Sequence, residues 1–133
     1  MSNDLLHTRL VFITGASSGI GQALALRYAK AGCRLALVGR RSSELQTWAQ
    51  AQGWNDDTCR IYSADVADPA SIVAAGTDCL AAQGLPDVVI ASAGISIGMD
   101  TTERDDIDVM ARTFATNNTG MAATFQPFVA AMV

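Results

Sequence analysis

The sequence predicts a three-layer α/β fold built on a doubly wound parallel sheet, and three observations carry that expectation. Short apolar runs alternate with stretches of helical periodicity in the order β-α-β-α-β-α-β-α. The run from Val88 to Ala91 is nearly all apolar, as suits a parallel strand covered on both faces. A glycine-rich turn joins the first run to the first helix. The chain has 133 residues, 50% of them hydrophobic; that is one domain in length, enough to bury about two thirds of its unfolded surface. No repeat, low-complexity tract or linker interrupts it, so residues 1–133 are expected to form a single domain.

The first strand is expected over about Arg9 to Thr14 and the first helix over about Gly19 to Ala31, with Ile20, Ala23, Leu24, Tyr28 and Ala31 on one face and Gly32 as its stop. The second strand centres on Leu35-Ala36-Leu37-Val38. Gly39-Arg40-Arg41 follows, and then Ser42-Ser43, good N-cap residues for a helix that carries Leu45, Trp48 and Ala49 and stops at Gly53. Arg60 to Ala64 is the third strand. Asp68-Pro69 supplies an N-cap and a first-turn proline for a helix running to about Gln83, with Gly84 after it. Val88 to Ala91 is the fourth strand, followed by a loop of small residues. A short helical piece around Glu103 to Arg112 then leads to a longer helix from about Phe114 to Met132, with Pro127 as an internal irregularity. Right-handed crossovers give the strand order 3-2-1-4, with the first two helices on one face and the later ones on the other. A ligand belongs at the carboxyl ends of strands 1 and 4.

Composition narrows the partners. A formal net charge of −4 and a single lysine, Lys30, argue against nucleic acid, whose binding rests on clustered cations. The cysteines Cys33, Cys59 and Cys79 are odd in number and lack metal-ligand spacing, which predicts bland buried or half-buried thiols and no metal; the one histidine, His7, sits near the N-terminus. No apolar segment reaches the length of about eighteen residues that a membrane span needs, and Met1 to Thr8 lacks an apolar signal core. The expectation is a cytoplasmic protein without a membrane partner.

The most informative segment is Thr14-Gly15-Ala16-Ser17-Ser18-Gly19-Ile20-Gly21, set between an apolar strand and a helix. Glycines there allow a sharp turn and close approach to a pyrophosphate, while the N–H groups and dipole of the following helix supply counter-charge. This is a dinucleotide cradle. Three residues separate Gly15 from Gly19 and one separates Gly19 from Gly21. That spacing differs from G-x-G-x-x-G and resembles the T-G-x-x-x-G-x-G signature of the short-chain dehydrogenase/reductase family, which implies a Rossmann-like domain.

The resemblance assigns roles residue by residue. Gly15, Ser17, Ser18, Gly19, Ile20 and Gly21 would hold the cofactor phosphates. Arg40 lies about twenty residues beyond the last glycine, where an NAD-specific site offers Asp or Glu to the ribose hydroxyls. With Gly39-Arg40-Arg41 in that place, a guanidinium can bind a 2′-phosphate, and NADP(H) is expected over NAD(H). Asp65-Val66 resembles the family's D-V pair, whose carboxylate accepts from the adenine amino group. Ala91-Ser92-Ala93-Gly94 stands where the family has N-N-A-G; the departure removes two amide side chains, while Ala93 and Gly94 still permit close backbone approach to ribose or nicotinamide. Asn117-Asn118-Thr119-Gly120 matches N-x-x-G and makes Asn117 the counterpart of the catalytic asparagine, with Asn118 as the competing register.

The family reaction moves a hydride between nicotinamide and a carbonyl or alcohol carbon, with a tyrosine as acid, a lysine four residues on and a serine holding the oxygen. Here Tyr28 and Tyr62 are the only tyrosines and neither begins Tyr-x-x-x-Lys. The resemblance covers nearly all 133 residues but about the first half of a usual member. A chain ending at Val133 would therefore lack its catalytic half and be inactive. The fourth strand would be an exposed apolar edge, and the helix bearing Met121, Phe125, Phe128 and Val129 would lose its packing partner. A longer oxidoreductase acting on a small carbonyl or secondary alcohol, and forming a homo-oligomer (dimer or tetramer) through the helix 114–132, is the first expectation. A non-catalytic NADP(H)-binding sensor or scaffold is the second.

Overall fold

The computed structural model describes residues 8–17, 19–65, 67–92 and 104–132. They form β1 (Leu10–Thr14), α1 (Gly19–Lys30), β2 (Arg34–Gly39), α2 (Ser42–Ala51), β3 (Cys59–Ser63), α3 (Pro69–Ala82), β4 (Val88–Ala91) and α4 (Arg104–Met132). All strand pairings are parallel and the order is β3-β2-β1-β4, the doubly wound arrangement expected.

The alternation of side chains in the strands assigns the two helical layers. Leu10, Phe12, Ala36 and Val38 point to one face, where they pack with Ile72, Ala75 and Cys79 of α3 and Ala123 and Phe128 of α4. Val11, Ile13, Leu35, Leu37 and Cys59 point to the other, against Ala25 of α1 and Leu45 and Ala49 of α2. β1 is buried at every position, which explains why it reads as a continuous apolar run. β4, the terminal strand among the described residues, is half-buried throughout, yet Val89 packs against the first cluster and Val88 and Ile90 against the second, so both its faces are covered as expected.

Three local expectations need correction. The buried face of α1 is Gly21 and Ala25, with Leu24, Tyr28 and Ala29 half-buried; Ile20 is 73% exposed and Ala23 and Ala31 are exposed too. A Cβ on Gly21 would run into the Gly15 carbonyl and lie 2.8 Å from Ala16 Cα. That backbone contact, rather than apolar content, sets the rotational phase of the helix. In α2, Ser42 and Ser43 are the first helical residues and Arg41 is the N-cap, with no side-chain capping bond.

Glu103 lies outside the described residues, and the two helical pieces expected beyond it are one continuous helix, α4. No glycine or proline lies between Arg104 and Asn118 to break it. Pro127 is accommodated inside that helix. Gly76 of α3 makes room for it, since a Cβ there would stand 2.6 Å from Pro127 Cγ. Phe128 keeps a packing partner: it is 1% exposed and meets Phe12 edge-on at 4.9 Å between centroids. Met121 and Val129 are exposed and Phe125 is half-buried.

Candidate cofactor site

All four strands end on one edge of the sheet, and hydrogen bonds tie the exits together. Ala16 N–H donates to the Val38 carbonyl at 3.1 Å, which fastens the glycine turn to β2. Ala64 N–H donates to the Gly39 carbonyl at 3.3 Å and brings the exit of β3 beside that of β2. Ser92 Oγ donates to the Thr14 carbonyl at 2.5 Å, prolonging the β1–β4 pairing by one side chain beyond Ala91. The glycine turn, Arg40, Asp65 and Ser92 are therefore arrayed along one edge. Ser18, Val66, Ala93 and Gly94 lie outside the described residues, as do His7 and the loop Ile95–Gly98.

The turn itself has the geometry its glycines predict. Gly15 has φ of +68°, the left-handed region that a side chain disfavours. Gly21 packs against the backbone of Gly15 and Ala16. Around Gly19 there is open space, with no atom within 4 Å of where a Cβ would stand. The first turn of α1 carries no acidic residue, and its basic residues, Arg27 and Lys30, are in the last turn. A positive dipole end with no acidic residue in its first turn fits an anionic pyrophosphate. Thr14, the last residue of β1, is 2% exposed, and its hydroxyl has no hydrogen-bond partner among the described residues.

At the end of β2, Ser17 comes close to the backbone: a Cβ on Gly39 would lie 3.3 Å from Ser17 Oγ and 3.3 Å from Leu45 Cδ2. Arg40 is exposed directly beyond. Arg41 faces Glu44 at 3.7 Å with both side chains exposed, an ion pair too solvated to hold either firmly. Asp65 is half-buried; its Oδ1 accepts from Ala67 N–H at 2.9 Å, an Asx turn.

Asn117 is half-buried and Asn118 exposed. Asn117 stands well inside α4 rather than near its start, because α4 begins earlier than expected. The stripe Thr113, Asn117, Gly120, Thr124 and Phe128 faces inward at helical spacing. Phe128 meets mid-sheet Phe12, and Asn117 is eleven residues earlier, about 16 Å along the helix axis.

One residue at this edge was not singled out by sequence reasoning. Ser71, in the first turn of α3, accepts from Asp65 N–H at 3.0 Å and is 3.1 Å from the Asp65 carbonyl. A serine two places after a first-turn proline is ordinary, and nothing in its spacing announces a contact six residues back.

Parallel order 3-2-1-4 with helices on both faces defines a Rossmann-like α/β protein. The chain belongs to the short chain dehydrogenase family, whose profile matches residues 9–133. It is 36% identical over 91 residues to D-threitol dehydrogenase of Mycolicibacterium smegmatis, covering 68% of this chain and 35% of that protein. To dehydrogenase/reductase SDR family member 7B of Bos taurus it is 34% identical over 135 residues, covering 96% of this chain and 41% of that protein. Among solved structures, a short-chain dehydrogenase/reductase described as glucose/ribitol dehydrogenase from Brucella melitensis superposes with a TM-score of 0.84 at 25% identity, covering 93% of this chain and 52% of that one. The chain thus spans well under two thirds of the length of these relatives.

Proposed function

We infer that the chain is the cofactor-binding part of an NADP(H)-dependent short-chain oxidoreductase that interconverts a small carbonyl compound and a secondary alcohol, in a cytoplasmic homo-oligomer assembled through the helix 114–132. Arg40 carries the cofactor choice. It is exposed directly after β2, with Ser17 Oγ close to the preceding Gly39. A guanidinium and a hydroxyl suit a phosphate, which an acidic side chain there would repel. Arg41 can exchange its weak, solvated contact with Glu44 for the same group.

When bound, the nicotinamide would supply or accept the hydride. The backbone of Gly15, Ser17, Ser18, Gly19, Ile20 and Gly21 would hold the pyrophosphate, and Asp65 with Val66 the adenine. Ser92, Ala93 and Gly94 would line the approach to ribose and nicotinamide. Asn117 would act from α4 as the family's catalytic asparagine. A relative named for D-threitol dehydrogenation supports an alcohol on one side of the reaction.

Fluorescence titration of the full-length protein with NADPH and NADH tests the cofactor choice. The native protein should bind NADPH more tightly, and Arg40→Asp should weaken NADPH about ten- to a hundredfold while changing NADH little. Equal losses for both would overturn the 2′-phosphate assignment. Oxidation of NADPH with a panel of carbonyl compounds reads the reaction itself; saturable binding without hydride transfer would point to the non-catalytic NADP(H)-binding module instead.

A further inference from the structure

After β3 the chain turns through residues 64–68 to enter α3 at Pro69. Such a connection must satisfy its own N–H and C=O groups. Much of that task falls to one side chain from the helix. Ser71 Oγ accepts from Asp65 N–H at 3.0 Å, and its hydroxyl stands 3.1 Å from the Asp65 carbonyl and 2.8 Å from the Asp68 carbonyl. With a single proton to give, it divides its donation between the two carbonyls. Asp68 N–H adds a 2.8 Å bond to the Asp65 carbonyl.

The anchor is firm at its other end. Ser71 is half-buried, and the helix that carries it is held in the core by Ile72, Ala75 and Cys79, at 2%, 3% and 0% exposure. Asp65 is therefore gripped at both its N–H and its carbonyl by a group fixed to the packed body of the protein. One oxygen of its carboxylate is held separately, by Ala67 N–H at 2.9 Å. Main chain and side chain are both set before any ligand arrives.

We propose that Ser71 is a positioning residue for purine recognition: it fixes the Asp65 backbone so that the carboxylate is aimed at an exocyclic amino group of the base. This rests on reading Asp65 as the adenine contact. Adenine and hypoxanthine differ at that position, one presenting an amino donor and the other a carbonyl acceptor. A well-aimed carboxylate accepts from the first and repels the second, whereas a loosened one turns to water and tells them apart poorly. The adenine-to-hypoxanthine preference thus reads the aim of Asp65 directly.

The experiment uses the full chain and two probes, NADPH and reduced nicotinamide hypoxanthine dinucleotide phosphate, with dissociation constants measured by titration. The native protein should prefer adenine by about tenfold. Ser71→Ala should bring the ratio down to about twofold, and Ser71→Thr, which restores the hydroxyl, should return it to the native value. Because the readout is a ratio on one sample, a lower folded fraction cancels. If Ser71→Ala does not fold, Ser71→Cys, with a weak donor of similar size, is read in the same way. A variant that loses thermal stability yet keeps the native ratio would overturn the proposal and make Ser71 merely structural. Failure of the Asp65 reading has its own signature: the native protein and Asp65→Ala would then share one ratio near unity, and the role of Ser71 would fall with it.

Discussion

At the scale of single residues, the site depends on places where a side chain is excluded. Gly21 is the sharpest, because the atom its Cβ would strike belongs to the Gly15 backbone, which cannot swing aside. Gly21→Ala should therefore push α1 away from the turn, lowering the melting temperature and weakening NADPH and NADH alike. A thermal scan with parallel titrations checks this, and an unchanged affinity for both nucleotides would contradict the close packing. The sharp turn at Gly15 and the close approach of Gly21 were legible in the sequence because both glycines belong to one short motif with fixed spacing. The bond from Ser92 to Thr14 spans 78 residues and leaves no local trace. Ser71 is hidden for a different reason: its contacts are made by an ordinary first-turn serine whose direction is known only once α3 is docked.

At the scale of elements, the strands and their order could be read because β1, β2 and β4 are largely apolar runs ended by a glycine, a turn or a helix cap, and one handedness rule arranges parallel strands. Helix phase could not. The apolar character of Ile20 suggests an inward face, yet the glycine contact turns that residue out. The packing of α3 on α4 offers a test of such backbone control. Replacing an interior helical glycine by alanine ordinarily stabilises by about 1 kcal/mol. At Gly76, however, the added methyl would stand 2.6 Å from Pro127 Cγ, 3.0 Å from its Cβ and 3.2 Å from Phe128 Cζ. Overpacking of this kind costs about 1–3 kcal/mol, and a proline ring has few ways to yield. Gly76→Ala should thus lower the melting temperature, by about 1 kcal/mol net in unfolding free energy; a rise on thermal denaturation would mean that the two helices part easily.

At the scale of the whole molecule, both faces of the sheet hold buried side chains that prefer to keep their protons. Tyr62 donates to Gln83 Oε1 at 2.8 Å, and Gln83 Nε2 donates to the Leu35 carbonyl at 3.0 Å, binding β2 and β3 to the end of α3. Burial holds the Tyr62 hydroxyl well above its ordinary value, with the Cys79 thiol adding to the rise. The same desolvation pushes the Cys79 thiol from 9.0 to about 11, although Arg34 and the bond with Tyr62 pull it partly back. On the other face of the sheet, burial raises the Cys59 thiol from 9.0 to about 12, with a smaller push from Asp56. Both hydrophobic layers are therefore sensitive to alkali. In the unfolded chain these thiols ionise near their ordinary value, while the folded chain retains their protons, so unfolding releases protons in this range. Their contribution to stability is complete below about pH 9, falls as the pH rises toward 11, and continues to fall toward 12 through Cys59. Urea midpoints measured from neutral pH to about pH 10.5 should decline above about pH 9. Cys79→Ala should start from a lower midpoint, having lost buried volume, but decline less steeply over the same range. A native profile that stays flat would mean that the thiols are far better solvated than their packing implies.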